Sequence, residues 1–322
     1  MRSNRSPVTT TSPIRVGTRG SLLARTQTDW VLACLRQAHP ALAFEVVVIR
    51  TRGDVQTQQL PARLLGKGFF TKEIEDALLA REVDLAVHSL KDLPTEWPAG
   101  LALGAVPVRV DPRDAIVGLD LATLRRDAAS LRLGTSSLRR AAQLRRLLPG
   151  CTVTSLRGNV DTRLAKVRDR VVDAAVLAAA GLIRVGRGSE IRDYFEFDQM
   201  LPAPGQGALA IEIRADDDRL RVLLRPLHCA TAAACVEAER AFMRQLGGGC
   251  QLPVAALASL SAGTLHLRGR VLALDGSRDV SGSDSGPADR ASEVGQRLAD
   301  ALLRQGAETL IRETEAHLRQ EQ

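Results

Sequence analysis

The chain has 322 residues, 45% hydrophobic and 25% charged, with a formal net charge of +7, a length that suits two or three packed cores rather than one. No apolar run approaches the roughly 18 residues that a membrane span requires, and aromatic residues at 3% leave few surfaces on which nucleic-acid bases could stack. The five cysteines are odd in number and contain no C-x-x-C pair, so neither a disulfide framework nor a zinc or other metal site is expected.

Residues 1–13 are polar and lack the apolar stretch of a signal peptide; they read as a disordered tail on a cytoplasmic protein with reduced thiols. A short strand over 14–18 runs into a small-residue turn, and a helix opens at Ser21 as N-cap. That helix places Leu23, Trp30, Val31, Cys34 and Leu35 on one face. An apolar strand follows over 44–51. The stretch 56–70, ending in Gly66-Lys67-Gly68-Phe69-Phe70, reads as a mobile loop beside a cleft; the G-x-x-x-x-G-K-[ST] pattern is absent, so nucleotide binding is discounted. A helix over 71–81 leads to an apolar strand over 83–87, buried on both faces.

The same layout then returns. Ile14-Arg15-Val16-Gly17-Thr18 is matched by Leu131-Arg132-Leu133-Gly134-Thr135, Arg52-Gly53-Asp54-Val55 by Arg157-Gly158-Asn159-Val160, and Val83-Asp84-Leu85-Ala86-Val87 by Val172-Asp173-Ala174-Ala175-Val176. Three matches in one order indicate an internal duplication. The second copy has a strand over 131–135, a helix capped by Ser137, a strand over 151–156, a helix over 161–168 and a buried strand over 171–178. Cys34 and Cys151 read as buried small hydrophobes, and Arg145 and Arg146 as the solvated face of their helix. Strands alternating with helices imply mainly parallel sheets covered on both sides. Residues 189–200 form a polar and aromatic excursion, and Pro202-Ala203-Pro204-Gly205-Gln206-Gly207 a crossing between domains. A strand over 209–213, a helix over 232–246, alternating segments over 255–260 and 265–272 and a last amphipathic helix over 291–305 follow, the later ones as a small α+β domain.

In parallel sheets ligands bind outside the carboxyl ends of the strands, where helix N-termini offer N–H groups to anions. Two facing copies therefore make an anion-binding cleft. All but four of the 44 cationic residues are arginine, whose planar fork suits carboxylates; Arg139, Arg140, Arg157, Arg163 and Arg184, with Arg19, fall on that cleft. After its buried strand only the first copy continues with polar residues, His88-Ser89-Leu90-Lys91-Asp92. Lys91 and Asp92 are the candidates for chemistry there, whereas His88, inside the strand, reads as a hydrogen-bonded structural histidine. Cys250 follows three glycines and is the one cysteine whose setting favours an exposed, reactive thiol.

These residues resemble the porphobilinogen deaminase family. The likeness runs over roughly residues 14–315, through Gly17-Thr18-Arg19-x-Ser21, Lys67-Gly68-x-Phe70, Val87-His88-Ser89-Leu90-Lys91-Asp92-Leu93-Pro94, Asp111-Pro112-Arg113-Asp114-Ala115, Gly134-Thr135-Ser136-Ser137-Leu138-Arg139-Arg140, Leu156-Arg157-Gly158-Asn159-Val160-x-Thr162-Arg163, Pro204-Gly205-Gln206-Gly207-Ala208 and Gly248-Gly249-Cys250-Gln251. His228-Cys229-Ala230-Thr231 departs from it, where the family has a more acidic segment.

The resemblance implies an α/β fold of two duplicated periplasmic-binding-protein-like domains with mainly parallel sheets facing a cleft, plus a small α+β third domain. Domain 1 would hold 14–107 and 206–226, domain 2 111–202 and domain 3 229–322. It implies a dipyrromethane cofactor in thioether linkage to Cys250, on which four porphobilinogens are joined before water releases hydroxymethylbilane. Asp92 would be catalytic; Lys91, Asp92, Ser137, Arg139, Arg140 and Arg163 would bind the cofactor; Arg19, Ser21, Lys67, Arg157, Arg163 and Arg184 would bind substrate. A monomer with no nucleic-acid or membrane partner is expected. The alternative is a non-enzymatic two-domain binder of an anionic small molecule, which explains the duplication but not Cys250 or the third domain; a nucleic-acid binder has only the net charge in its favour.

Overall fold

The computed structural model describes residues 12–53, 71–248 and 252–320. The chain opens with β1 (Ile14–Arg19), α1 (Leu22–Ala38), β2 (Phe44–Ile49), α2 (Lys72–Leu79), β3 (Leu85–Ser89) and β4 (Leu101–Ala105). The second unit is β5 (Asp114–Val117), α3 (Leu121–Asp127), β6 (Arg132–Gly134), α4 (Leu138–Leu147), β7 (Thr152–Thr154), α5 (Val160–Arg168), β8 (Ala174–Ala178), α6 (Ala179–Arg184) and β9 (Ile191–Tyr194). Then come β10 (Leu209–Arg214), α7 (Asp218–Leu223) and α8 (Ala230–Gln245). The chain closes with β11 (Val254–Ser261), β12 (Thr264–Leu272), β13 (Asp279–Pro287), α9 (Ala291–Leu302) and α10 (Glu308–Gln320).

The duplication is visible in the sheets. Their strand orders are β2-β1-β3-β10-β4 and β7-β6-β8-β5-β9. In each, three neighbouring strands pair in parallel, and one strand (β10 in the first, β5 in the second) runs antiparallel to both its neighbours. The first sheet is completed only when the chain returns from the second, because β10 lies between β3 and β4. All six residues of β10 are buried, as expected of a central strand covered on both faces. The third sheet, β11-β12-β13, is an antiparallel meander packed on α8 and α9. Phe242, Val294 and Leu298 fill that core, and Gly295 lets the helices touch: a Cβ there would lie 2.3 Å from the Ala238 carbonyl oxygen.

Several local expectations change in the folded chain. Trp30 is 46% exposed, and the buried face of α1 is Ala24, Gln27, Thr28, Val31, Leu32 and Leu35. Cys34 and Cys151 are half-buried at core margins rather than enclosed. The excursion over 189–200 contains an edge strand, β9. The helix over 291–305 is not the last: beyond α9 the backbone stays helical until it kinks at Gly306, with φ of 104°, and α10 follows. Arg145 and Arg146 do not face solvent alone. Arg145 donates to the Leu274 carbonyl at 2.6 Å and Arg146 pairs with Asp279 at 2.6 Å, so this helix edge docks the third domain.

One buried carboxylate ties the parts together. Glu239 of α8 is fully buried and accepts from Arg109 Nη1 (2.6 Å) and Nη2 (3.0 Å), from Gly205 N (2.7 Å) and from Ala258 N (2.8 Å). Both segments linking the first two units thus grip the third. Removing one partner of a buried pair strands the other charge, at a cost of roughly 3–5 kcal/mol. Glu239→Gln should lower the urea midpoint accordingly, and Glu239→Met with Arg109→Met should recover much of the loss. A single variant as stable as the parent would refute this account.

Candidate active site

Each sheet delivers its functional residues just past the end of a strand. Arg19 ends β1, and Ser21 is the N-cap of α1, its Oγ accepting from Ala24 N at 3.3 Å. Ser137 does the same for α4, accepting from Arg140 N at 3.4 Å. A serine in extended backbone can accept from the first free helical N–H groups, which is why the duplicated turns keep one there. Lys91 and Asp92 lie one turn beyond β3, in the tight turn Leu90–Asp92. The turn is held by its apolar ends: Leu90 and Leu93 are buried, and Leu90 N donates to the Ala208 carbonyl at 3.0 Å. Asp92 is therefore presented outward on a fixed backbone.

Across from it stand the residues of the second unit. Arg139 and Arg140 occupy the first turn of α4 and are 4% and 6% exposed. Both grip Asp114 at the start of β5. Arg139 Nη1 donates to Oδ2 at 2.6 Å, Arg140 Nε to Oδ1 at 2.9 Å, and Gln206 Nε2 to Oδ1 at 2.9 Å. Burial alone would raise the Asp114 carboxyl, but the two guanidiniums outweigh it and hold it well below the usual carboxylate range. Arg139 Nη1 also reaches the Leu201 carbonyl at 2.7 Å, and Arg140 Nη1 that of Val176 at 3.2 Å. Gln206 accepts from Lys91 Nζ at 3.4 Å, joining the two units in one network.

The cations here are short of water. Burial, with Arg140 nearby, pushes the Lys91 ammonium down to about 8, opposed by Asp92 and Asp114. Burial and Arg140 lower Arg163 of α5 to about 10, while Asp92 favours its charge; burial lowers Arg184 of α6 to about 10. Arg163 Nε is buried and has no hydrogen-bond partner among the described residues. Arg184 Nη2 donates to the Gly207 carbonyl at 2.8 Å, where a Cβ on Gly207 would collide with the Val110 oxygen at 2.3 Å. Arg157 follows β7, and both it and Arg19 make contacts within the chain. A group rich in carboxylates fits this arrangement. An orphaned buried donor at Arg163 and an excess of partly desolvated cations are conditions in which ligand carboxylates offset a cost the protein already carries.

The sequence singled out the cations but not the carboxylate behind them. Asp114 opens an apolar strand, and a fully buried acid there requires cationic partners; the adjacent arginines were the available signal. His88 lies in β3 with Nε2 3.1 Å from Glu212 Oε2, both buried, close enough for an ion pair but not aligned as a hydrogen bond. Burial raises Glu75 on the overlying α2, as does the charge of Glu212. Lys67 and Cys250 lie outside the described residues. No helix among the described residues is long and apolar enough to cross a membrane.

Comparison with known proteins follows the same division of the chain. A family model described as porphobilinogen deaminase, dipyromethane cofactor binding domain, matches residues 14–222, and its C-terminal domain counterpart matches 233–304. The porphobilinogen deaminase of Syntrophobacter fumaroxidans is 47% identical over 303 residues, covering 93% of this chain and 97% of that protein. That of a Roseiflexus species is 49% identical over 297 residues, covering 92% and 97%. Among solved structures, the BenM effector binding domain with benzoate covers 67% of this chain and 90% of its own, at 15% identity and a TM-score of 0.41.

Proposed function

The chain belongs to the porphobilinogen deaminase family, and on that premise we infer which of its residues carry out hydroxymethylbilane synthesis. The activity is a transferase reaction of tetrapyrrole biosynthesis: four porphobilinogens are deaminated and joined head to tail on a dipyrromethane primer, and water releases the linear product. When bound, the primer supplies the pyrrole carbon to which the first substrate is added. The observation that carries the assignment of roles is that the charges of Asp92 and Arg140 both act on Lys91 and on Arg163, while Lys91 and Arg140 share the amide oxygen of Gln206.

Lys91, Arg140 and Arg163, with Ser137, hold the acetate and propionate groups of the primer, and Arg139 supports them from behind. Arg19, Ser21, Arg157 and Arg184 receive those of the incoming porphobilinogen, with Lys67. Asp92 accepts hydrogen bonds from pyrrole N–H groups, stabilises the cation left when porphobilinogen loses ammonia, and moves the proton released on coupling. Cys250 anchors the primer through a thioether and takes no part in turnover. The domain limits that suit these roles are 14–107 with 206–226, 111–202, and 229–322. The protein works as a cytoplasmic monomer without nucleic acid.

Two arginines separate the roles experimentally. Arg163→Leu removes a cation that no carboxylate among the described residues hydrogen-bonds, so the variant should fold yet fail to retain the primer. Arg19→Leu should keep the primer and stop substrate addition. A charge-assisted hydrogen bond contributes about 1.5–3 kcal/mol, roughly tenfold to a hundredfold in binding. Intact mass of each purified variant, with and without porphobilinogen, decides the matter; primer on Arg163→Leu and none on Arg19→Leu would reverse the assignment. Leucine at Arg139 or Arg140 is a poorer probe, because either would also strip Asp114 of a partner.

A further inference from the structure

We propose that Asp114 is a positioning residue for this reaction: it commits Arg139 and one edge of Arg140 to the protein and, through Gln206, holds the Lys91 ammonium in its working place. This rests on the reading of Lys91 and Arg140 as primer-holding residues. The carboxylate lies at the base of the site, fully buried, and three side chains converge on it. Arg139 brings Nη1 and Nη2, at 2.6 and 3.3 Å. Arg140 brings Nε at 2.9 Å and Nη2 at 2.8 Å. Gln206 brings Nε2 at 2.9 Å.

The orientation of Gln206 is decided by its donors. Nε2 also reaches the Pro112 carbonyl at 2.8 Å, so Oε1 must face the other way, toward Arg140 Nη2 at 3.3 Å and Lys91 Nζ at 3.4 Å. An amide turned over would set its NH2 group against two cations. Asp114 thus acts on Lys91 twice, by fixing the amide whose oxygen accepts its hydrogen bond and by its own charge. Among the described residues, the charges acting on Lys91 include Arg139 and Arg140 from α4, Asp114 from β5 and Asp92 from its own turn, and Arg140 and Asp92 act in turn on Arg163 of α5. With Asp114 charged, these groups present a modest excess of positive charge to ligand carboxylates. With it neutral, two guanidiniums stand uncompensated beside the ammonium and press it to lose its proton.

The test uses the full chain as purified and reads Lys91 directly. Competitive acylation across pH, resolved by peptide mass, reports the half-labelling pH of each of the four lysines, with exposed Lys72 as reference. In the primer-bearing parent Lys91 should titrate at or above about 8, since ligand carboxylates favour its charge. In Asp114→Asn it should fall by roughly one pH unit, the scale of a unit charge acting through a partly buried site, and the alkaline limb of turnover should move down with it. Arg139→Gln should shift both upward, and the two substitutions together should return them toward the parent. The paired variant also covers the case in which Asp114→Asn alone is too unstable to purify. A Lys91 titration that stays in place in Asp114→Asn, or in the pair relative to Arg139→Gln, would overturn the proposal. Parent protein without primer or turnover would instead overturn the functional reading, leaving the labelling result to stand by itself.

Discussion

Asp92→Asn should yield a folded, primer-bearing protein that has lost most of its turnover. The fold survives because the Asp92 side chain is exposed and its turn is fixed by buried Leu90 and Leu93 rather than by the carboxylate. The chemistry does not, because Asp92 is the carboxylate that the turn directs outward, while Asp114 is enclosed by its arginines. A general acid–base group contributes roughly 10²–10⁴-fold, and stabilisation of the cation left by ammonia adds to it. Asp92→Glu keeps the charge but displaces it by about one methylene, so slow turnover with accumulated enzyme-bound intermediates is expected. Lys91→Gln should be milder, since Lys91 holds carboxylates without reacting. Single-turnover addition, with bound pyrroles counted by mass, separates these outcomes. Near-normal addition by primer-bearing Asp92→Asn would show that another group does the chemistry.

Cys250→Ala should abolish activity altogether, because without its anchor the primer cannot be retained through four additions. The purified protein should carry no covalent adduct, whereas Cys229→Ala and Cys235→Ala should keep both adduct and activity. The physical reason lies in the settings of the other thiols. Burial pushes Cys235 up to about 11, with the nearby Glu239 carboxylate adding to the effect, and burial also raises Cys151. Neither supplies the thiolate that forms carbon–sulfur bonds at neutral pH. Cys250 follows Gly247, Gly248 and Gly249 in the sequence, five residues beyond Gln245, where α8 ends. An adduct of two pyrrole units surviving in Cys250→Ala would place the anchor elsewhere.

Much of this protein is written locally. Repeated short patterns announced two like units, and the serines that cap α1 and α4 marked where each strand hands over to a helix. Both signals depend on neighbours within a few residues, so they can be read without a fold. The asymmetry after β3 and its counterpart β8 likewise pointed to Lys91 and Asp92. Pairing across long separations could not be read in this way. The antiparallel strand of the first sheet, β10, joins strands more than a hundred residues earlier in the chain, and β13, a run of serine, glycine and aspartate, is a strand only because β12 lies beside it. The same holds within the site. Arginines at 139 and 140 are visible as cations in any reading, but that they are spent on a buried Asp114, and that Arg145 and Arg146 bind the third domain, follows only once β5, α4, Gln206 and the domain interface are brought together. Charge is a property of the residue; which opposite charge it meets, and how little water remains between them, is decided by packing.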